Sequence, residues 1–248
     1  MNALTKKTIT LVTGGNGGIG FELVAQLMAS QTNHVLLGSR SIEKGESAIS
    51  QLEAQKAPGT VELLQLDVTD EASINAAAKT VESKHGRLDA LVNNAAIALP
   101  SGSIAEQMAI CFKTNATGPL LVVDAFAPLL KKAHGTPRIV NISTGQGSIT
   151  KRLDPTAPGY KIKGVQYRAS KAALNMVTAC QVAEFGDEGF KIFSFCPGFT
   201  QSNLGPHNNA ENGAKPTSEG AAPIVTILKG ERDSEHAHFL HNTGQYPW

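Results

Sequence analysis

Short apolar runs alternate along this chain with longer stretches in which apolar residues return every three or four positions. Residues 9–12 have strand length and strand composition, and TGGNGGIG follows at once. Ile19, Leu23, Val24 and Leu27 then recur at helical spacing, which predicts an amphipathic helix over 18–29. The same alternation predicts further strands at 34–38, 61–66, 88–93, 138–143 and 191–195. Helices are predicted over 41–56, 70–84, 105–131 and 166–185, the first of these stopped near Pro58-Gly59. Six strands separated by helices imply an α/β protein with a parallel sheet covered on both faces. Right-handed crossovers make such a sheet doubly wound, with its ligand crevice at the carboxyl ends of the strands. No shift in composition divides residues 1–248, so a single domain is expected. The stretch 205–216, GPHNNAENGAKP, has the character of a mobile excursion rather than a linker.

Composition narrows the possible functions. At 248 residues the chain can bury a core without disulfides or metals. With 41% hydrophobic and 17% charged residues it does not belong with disordered chains. Lys plus Arg number 22 against 21 Asp plus Glu, so there is no basic excess to neutralise phosphates and no nucleic-acid partner is expected. No apolar run is long enough to span a membrane, and no targeting signal is visible, which makes a cytoplasmic location the expectation. Cys111, Cys180 and Cys196 lie far apart without a CxxC pair and are expected to be three buried thiols. His236, His238 and His241 fit no common ligand spacing, so no metal is expected.

The chemistry is concentrated in short motifs. A strand, a glycine turn and a helix, in that order, make a phosphate cradle: Gly14, Gly18 and Gly20 let backbone approach a pyrophosphate at the helix N-terminus. The turn follows a TGxxxGxG pattern rather than GxGxxG. Asn93-Asn94-Ala95-Ala96, Asn115 within KTNATG, Asn141-Ile142-Ser143-Thr144, Tyr167-Arg-Ala-Ser-Lys171 and Cys196-Pro197-Gly198 follow. This ordered set, from residue 13 to 200, resembles the short-chain dehydrogenase/reductases. GSR after the second strand, CPGFT, and the aromatic end QYPW resemble their carbonyl-reductase-like branch.

The resemblance implies a Rossmann fold binding NADP(H). It places the cofactor against Gly14, Asn16, Gly18, Ile19, Gly20, Ser39, Arg40, Asp67, Val68, Asn94, Ala95, Tyr167, Lys171, Pro197, Gly198 and Thr200. Asn94 would line the cofactor floor. Asp67 would bond adenine, or else serve as a strand-end carboxylate beside Thr69 and Asp70. Strand two ends in Gly38-Ser39-Arg40 with no acid, so Ser39 and Arg40 are expected to hold a 2′-phosphate and favour NADPH. Tyr167 and Lys171 are four apart on one helix face, and an ammonium beside a phenol would lower its pKa toward working pH. The hydroxyl that polarises a substrate carbonyl falls by position on Thr144, with Ser143 the neighbour able to take the role. Asn115 is either a helix-interior polar residue or the holder of a relay water for Lys171.

The implied activity is NADPH-dependent reduction of a ketone or aldehyde, with Tyr167 as proton donor. An NADP-dependent alcohol or hydroxysteroid dehydrogenase, or a non-catalytic NADP-binding sensor, are the alternatives. The substrate would meet loops 97–104, 146–165 and 200–216, the last acting as a lid. Two departures stand out: Ala96 replaces the usual glycine, and Tyr167 follows Ser143 by 24 positions, more than is usual. The extra residues in 149–165 fall where tetrameric relatives pair, so a homodimer or monomer is expected.

Overall fold

A computed structural model describes residues 7–157 and 159–248. Its strands are β1 (Thr8–Thr13), β2 (Asn33–Ser39), β3 (Thr60–Gln65), β4 (Ala90–Asn93), β5 (Arg138–Ile142), β6 (Lys191–Phe195), β7 (Phe239–His241) and β8 (Gly244–Gln245). They form one sheet in the order β3-β2-β1-β4-β5-β6-β7-β8, parallel except for β8. The winding direction reverses between β1 and β4, which opens a crevice at their carboxyl ends. This is the doubly wound parallel sheet that the hydrophobic pattern predicts.

Successive strand residues serve opposite cores. In β1, Ile9 and Leu11 face one cluster and Val12 the other; in β2, Leu36 and the pair Val35 and Leu37 divide the same way. Helices α1 (Gly18–Met28) and α2 (Ile42–Glu53) cover one face, through Leu23, Val24, Leu27, Ala48 and Leu52. On the other face α3 (Glu71–His85) inserts Ile74, Ala77 and Val81. Fully burying one such large aliphatic side chain contributes roughly 1.5–3 kcal/mol, so two closed cores suffice to hold the sheet.

Local chemistry sets the helix ends. Ser41 accepts the Lys44 N–H ahead of α2, and Asp70 accepts the Ala72 N–H ahead of α3, which ends at Gly86 in the left-handed region. Helix α1 differs: Gly17 precedes it and no side chain caps its first turn.

The single helix predicted over 105–131 is three pieces: α4 (Ile104–Phe112), a π turn at Lys113–Thr117, and α5 (Gly118–Leu130). Pro119 explains the break, because it has no N–H to give the Asn115 carbonyl four residues earlier. Helix α6 (Ile149–Leu153) lies within the long 149–165 segment, ahead of α7 (Val165–Phe185). After β6 the chain adds α8 (Thr217–Leu228), β7 and β8, beyond the six strands expected. Ala221, Ile224 and Ile227 of α8 close the core beside α1. Among the described residues no helix is long and apolar enough to cross a membrane. The thiols differ from expectation: Cys111 and Cys196 are buried, whereas Cys180 is exposed on α7.

Candidate active site

The crevice is built around an absence of side chains. Gly14 and Gly18 have φ of +64° and +54°, a region where a Cβ is strained. A Cβ at Gly14 would lie 3.0 Å from the Ala95 Cα, and one at Gly20 would lie 2.5 Å from the Asn94 amide nitrogen. The turn therefore rests directly on the segment leaving β4. Thr13 locks the two together: its Oγ1 accepts the N–H groups of Asn94 (2.9 Å) and Ala95 (3.0 Å). Asn94 returns a bond from Nδ2 to the Thr13 carbonyl at 2.9 Å. Thr13 is a site residue that motif reading left unassigned; the visible signal was its place at the head of TGGNGGIG. Asn16 and Ile19 are partly buried along the same turn. A bare cradle facing the uncapped N–H groups and positive end of α1 fits the pyrophosphate of a dinucleotide.

At the end of β2 the two expected phosphate ligands part company. Arg40 is exposed, but Ser39 is buried and its hydroxyl donates to the Ser41 carbonyl at 2.8 Å. The Ser39 proton is thus already spent on local backbone, and Arg40 alone presents donors outward. Asp67 Oδ1 accepts both the N–H (2.9 Å) and the hydroxyl (2.8 Å) of Thr69, the strand-end role foreseen as its alternative. Burial pushes its carboxyl up, but the Thr69 bonds and the charges of Arg40 and Lys113 outweigh that and hold it below its ordinary value. Arg40 and Asp67 border a cavity of about 540 Å³ between β3 and α3, while Val68 is buried behind them.

Helix α7 carries Tyr167 and Lys171 one turn apart. Lys171 is buried; its Nζ donates to the Ile142 carbonyl at 2.7 Å and stands 6.0 Å from the centre of the Tyr167 ring. Burial lowers its pKa to about 7, against a smaller upward pull from Cys196 and Cys111. The phenol of Tyr167 is pushed up, first by burial and then by the same two thiols. This corrects the expected downward shift: with its own pKa lowered to about 7, Lys171 is mostly neutral at the pH where the phenol would ionise and so does little to stabilise phenolate there. In the free protein both groups are held toward their neutral forms.

Ser143 and Thr144 separate cleanly. Ser143 is buried and its hydroxyl donates to Asn175 Oδ1 at 2.7 Å. Thr144 is partly exposed, and its Oγ1 accepts the Gln146 N–H at 3.2 Å, which leaves its proton free to be donated. Asn175, one turn beyond Lys171, also accepts the Ser194 hydroxyl at 2.9 Å and so ties α7 to β5 and β6. Cys196 Sγ, near enough to Tyr167 and Lys171 to act on both pKa values, accepts the Gly145 N–H. These two joints went unassigned in the sequence because their partners lie 19 to 51 positions away.

Asn115 sits fully buried in the π turn. Its amide donates to the Ile97 carbonyl (2.8 Å) and Ser170 hydroxyl (2.9 Å), and its Oδ1 accepts the Ile97 N–H (2.9 Å). With both amide protons used, the side chain is a strut between the 97–104 loop and α7. Pro119, four residues on, has no N–H to offer the Asn115 backbone carbonyl.

The loops also depart from expectation. Residues 200–216 are closed at the neck by a bridge between Thr200 and Lys215, and Ser202 lies over the glycine turn, 3.3 Å from where a Gly18 Cβ would be. The segment is better anchored than its composition suggests. The Thr200 hydroxyl donates back to the Pro197 carbonyl at 3.2 Å, and Gly198 turns the chain at φ +80° beside buried Pro197. These residues shape the turn after β6. The chain's aromatic end docks against the Thr144 loop: Ser148 donates to the Pro247 carbonyl at 2.7 Å, and a Cβ at Gly145 would meet the Tyr246 ring at 3.1 Å.

A doubly wound sheet with a side-chain-free turn at its switch point, and a Tyr–Lys helix beside it, defines a class: dinucleotide-binding oxidoreductases of the α/β type. The family model described as short chain dehydrogenase matches residues 8–213. Short-chain dehydrogenase/reductase tropE of Talaromyces stipitatus is 34% identical, over 98% of both chains. The (+)-neomenthol dehydrogenase of Arabidopsis thaliana is 32% identical over 88% of this chain and 90% of its own. The structure of an NADPH-bound carbonyl reductase from chicken fatty liver superposes with a TM-score of 0.84, at 30% identity, covering 98% of this chain and 100% of the other. The chain belongs to the short-chain dehydrogenase/reductase family, whose members are nicotinamide-dependent oxidoreductases.

Proposed function

We propose that this protein is an NADPH-dependent carbonyl reductase acting on a ketone or aldehyde. The observation that carries the reading is the free hydroxyl of Thr144 just past β5, on a strand end tied to the Tyr167–Lys171 helix by the Lys171–Ile142 and Ser143–Asn175 bonds. The similar chicken carbonyl reductase, whose structure holds NADPH, supports the choice of cofactor. So does Arg40, an exposed guanidinium at the end of β2 preceded by Ser39 rather than by an acid.

Bound NADPH supplies hydride to the carbonyl carbon. Thr144 donates a hydrogen bond to the carbonyl oxygen, which polarises it and fixes its position. Tyr167 delivers its proton to the oxygen as charge develops there. Its raised pKa suits an acid that stays protonated at neutral pH. Lys171 holds the strand end through the Ile142 carbonyl and, when protonated, stabilises the phenolate that remains. A water held at Asn115 would carry a proton from solvent to Lys171, and Lys171 would return one to Tyr167. Exposed Leu99, Leu153 and Ile162, in the first two loops assigned to substrate, and Phe199, just before the third, favour an apolar carbonyl compound.

The test is oxidation of NADPH and of NADH against a panel of ketones, aldehydes, quinones and steroids. Turnover of at least one apolar carbonyl with NADPH, and markedly weaker turnover with NADH, is expected. Tight NADPH binding with no turnover across the panel would instead favour a cofactor-binding sensor.

A further inference from the structure

We propose that His34, Glu62 and His85 form a binding site for a single divalent transition-metal ion of the zinc type, at the end of the sheet remote from the cofactor cradle. His34 lies at the start of β2 and Glu62 in β3, on the sheet face that packs against α3. His85 extends the buried stripe of α3, four residues beyond Val81. Three elements distant in sequence thus bring one ligand atom each into a cluster less than 4.8 Å across.

The geometry is that of a ligand set more than of a hydrogen-bonded trio. Glu62 Oε2 stands 3.6 Å from His34 Nε2 and 3.4 Å from His85 Nε2. Ligand atoms around a tetrahedral zinc, with bonds of about 2.0–2.1 Å, lie about 3.3 Å apart. The imidazoles are 6% and 3% exposed, yet His34 Nε2 and both ring nitrogens of His85 have no hydrogen-bond partner. Buried polar atoms are almost always satisfied, and two orphaned Nε2 atoms converging on one carboxylate oxygen require an account. The contrast with Asp89 nearby is direct, since its two oxygens accept the N–H groups of Ile9 and His134.

The surroundings orient the set. His34 Nδ1 is 2.9 Å from the Thr60 hydroxyl, which turns Nε2 toward the carboxylate, as outer partners do for metal-bound imidazoles. Lys84 takes the other Glu62 oxygen at 2.5 Å and leaves Oε2 to the cluster. Glu62 is about one quarter exposed, at 26%, and gives an ion its route in. Two imidazoles and a carboxylate, with a fourth position for water, suit Zn²⁺ or Co²⁺ over Mg²⁺ or Ca²⁺.

The experiment uses the intact protein freed of metal by chelation and titrated with Zn²⁺ alone. One equivalent should bind, and at about a hundredfold excess over the dissociation constant Tm should rise about 5–10 °C. Loss of an outer partner typically weakens metal binding 10–100-fold, so Glu62→Gln and His85→Gln should each weaken it at least about a hundredfold. Circular dichroism of the metal-free variants checks that they fold. Where one does not, the wild-type Co²⁺ spectrum decides: nitrogen and oxygen ligation supports the site, and a thiolate band overturns it. No Zn²⁺ bound at about 100 µM, or binding unchanged in both variants, also overturns it, the second pointing to His236 or His238.

Discussion

The two ends of the parallel sheet handle buried polarity in opposite ways. At the carboxyl end, Thr13, Asn94, Ser143, Asn175 and Asn115 are all bonded, although Asn93 Oδ1 is left without a partner. At the amino end, His34 and His85 are as deeply buried, but His34 Nε2 and both His85 nitrogens lack partners. Satisfied networks hold loops still, so that a few free donors keep fixed positions. Unsatisfied groups are sustained only where folding energy elsewhere covers the cost or a ligand completes them. The lesson is that deep burial alone does not mark a working residue; the state of its partners does.

If the carboxyl end is the chemical end, substitutions there should alter turnover and cofactor binding, and the largest effect should come at Tyr167. Tyr167→Phe keeps the ring but removes the proton, so turnover should fall at least about a hundredfold while NADPH affinity holds. Fluorescence titration beside steady-state rates checks both; undiminished turnover would falsify the acid assignment. Arg40→Ala should weaken NADPH about 10–150-fold, the equivalent of one charge-assisted bond of about 1.5–3 kcal/mol, and leave NADH nearly unchanged. Equal losses for the two cofactors would reduce Arg40 to a surface residue.

Smaller effects test how tightly the two sides of the crevice are joined. Gly20→Ala puts a Cβ against Asn94 and the Gly14 carbonyl, an overpacking worth about 1–3 kcal/mol. Tm should fall about 2–12 °C, and a melt within error of wild type would show the turn to be looser than its geometry implies. Lys171 supplies a subtler signal. Its pKa is lowered to about 7 by burial, so between there and about 10.4 the unfolded chain binds the extra proton. Stability should therefore rise with pH across that window, by at most about 1.4 kcal/mol per unit, and Lys171→Met should flatten the slope. Above about pH 10 the raised Tyr167 works in the opposite sense, because the unfolded chain gives up its phenol proton first. Chemical denaturation at several pH values reads the slope, and identical slopes in both proteins would mean that Lys171 stays charged in its buried site.

Much of this was legible in the linear chain. Strand–helix alternation, the glycine turn and the Tyr–Lys pair are local or short-range, and their spacing dictates geometry before anything packs: four residues on a helix are one turn, and glycines are what positive φ requires. The order of the motifs implied the family that the comparisons then showed. Other features were beyond such a reading. β7 and β8 are three and two residues long, too short for a period, and exist because β6 and the aromatic tail hold them in place. Ser143 and Thr144 are adjacent and chemically alike; Asn175, 32 positions away, decides which one keeps a free hydroxyl. His34, Glu62 and His85 form no motif at all. Local backbone chemistry is written in neighbouring residues, whereas the partner that a side chain meets across the sheet is set by register and packing, which appear only once the whole chain has folded.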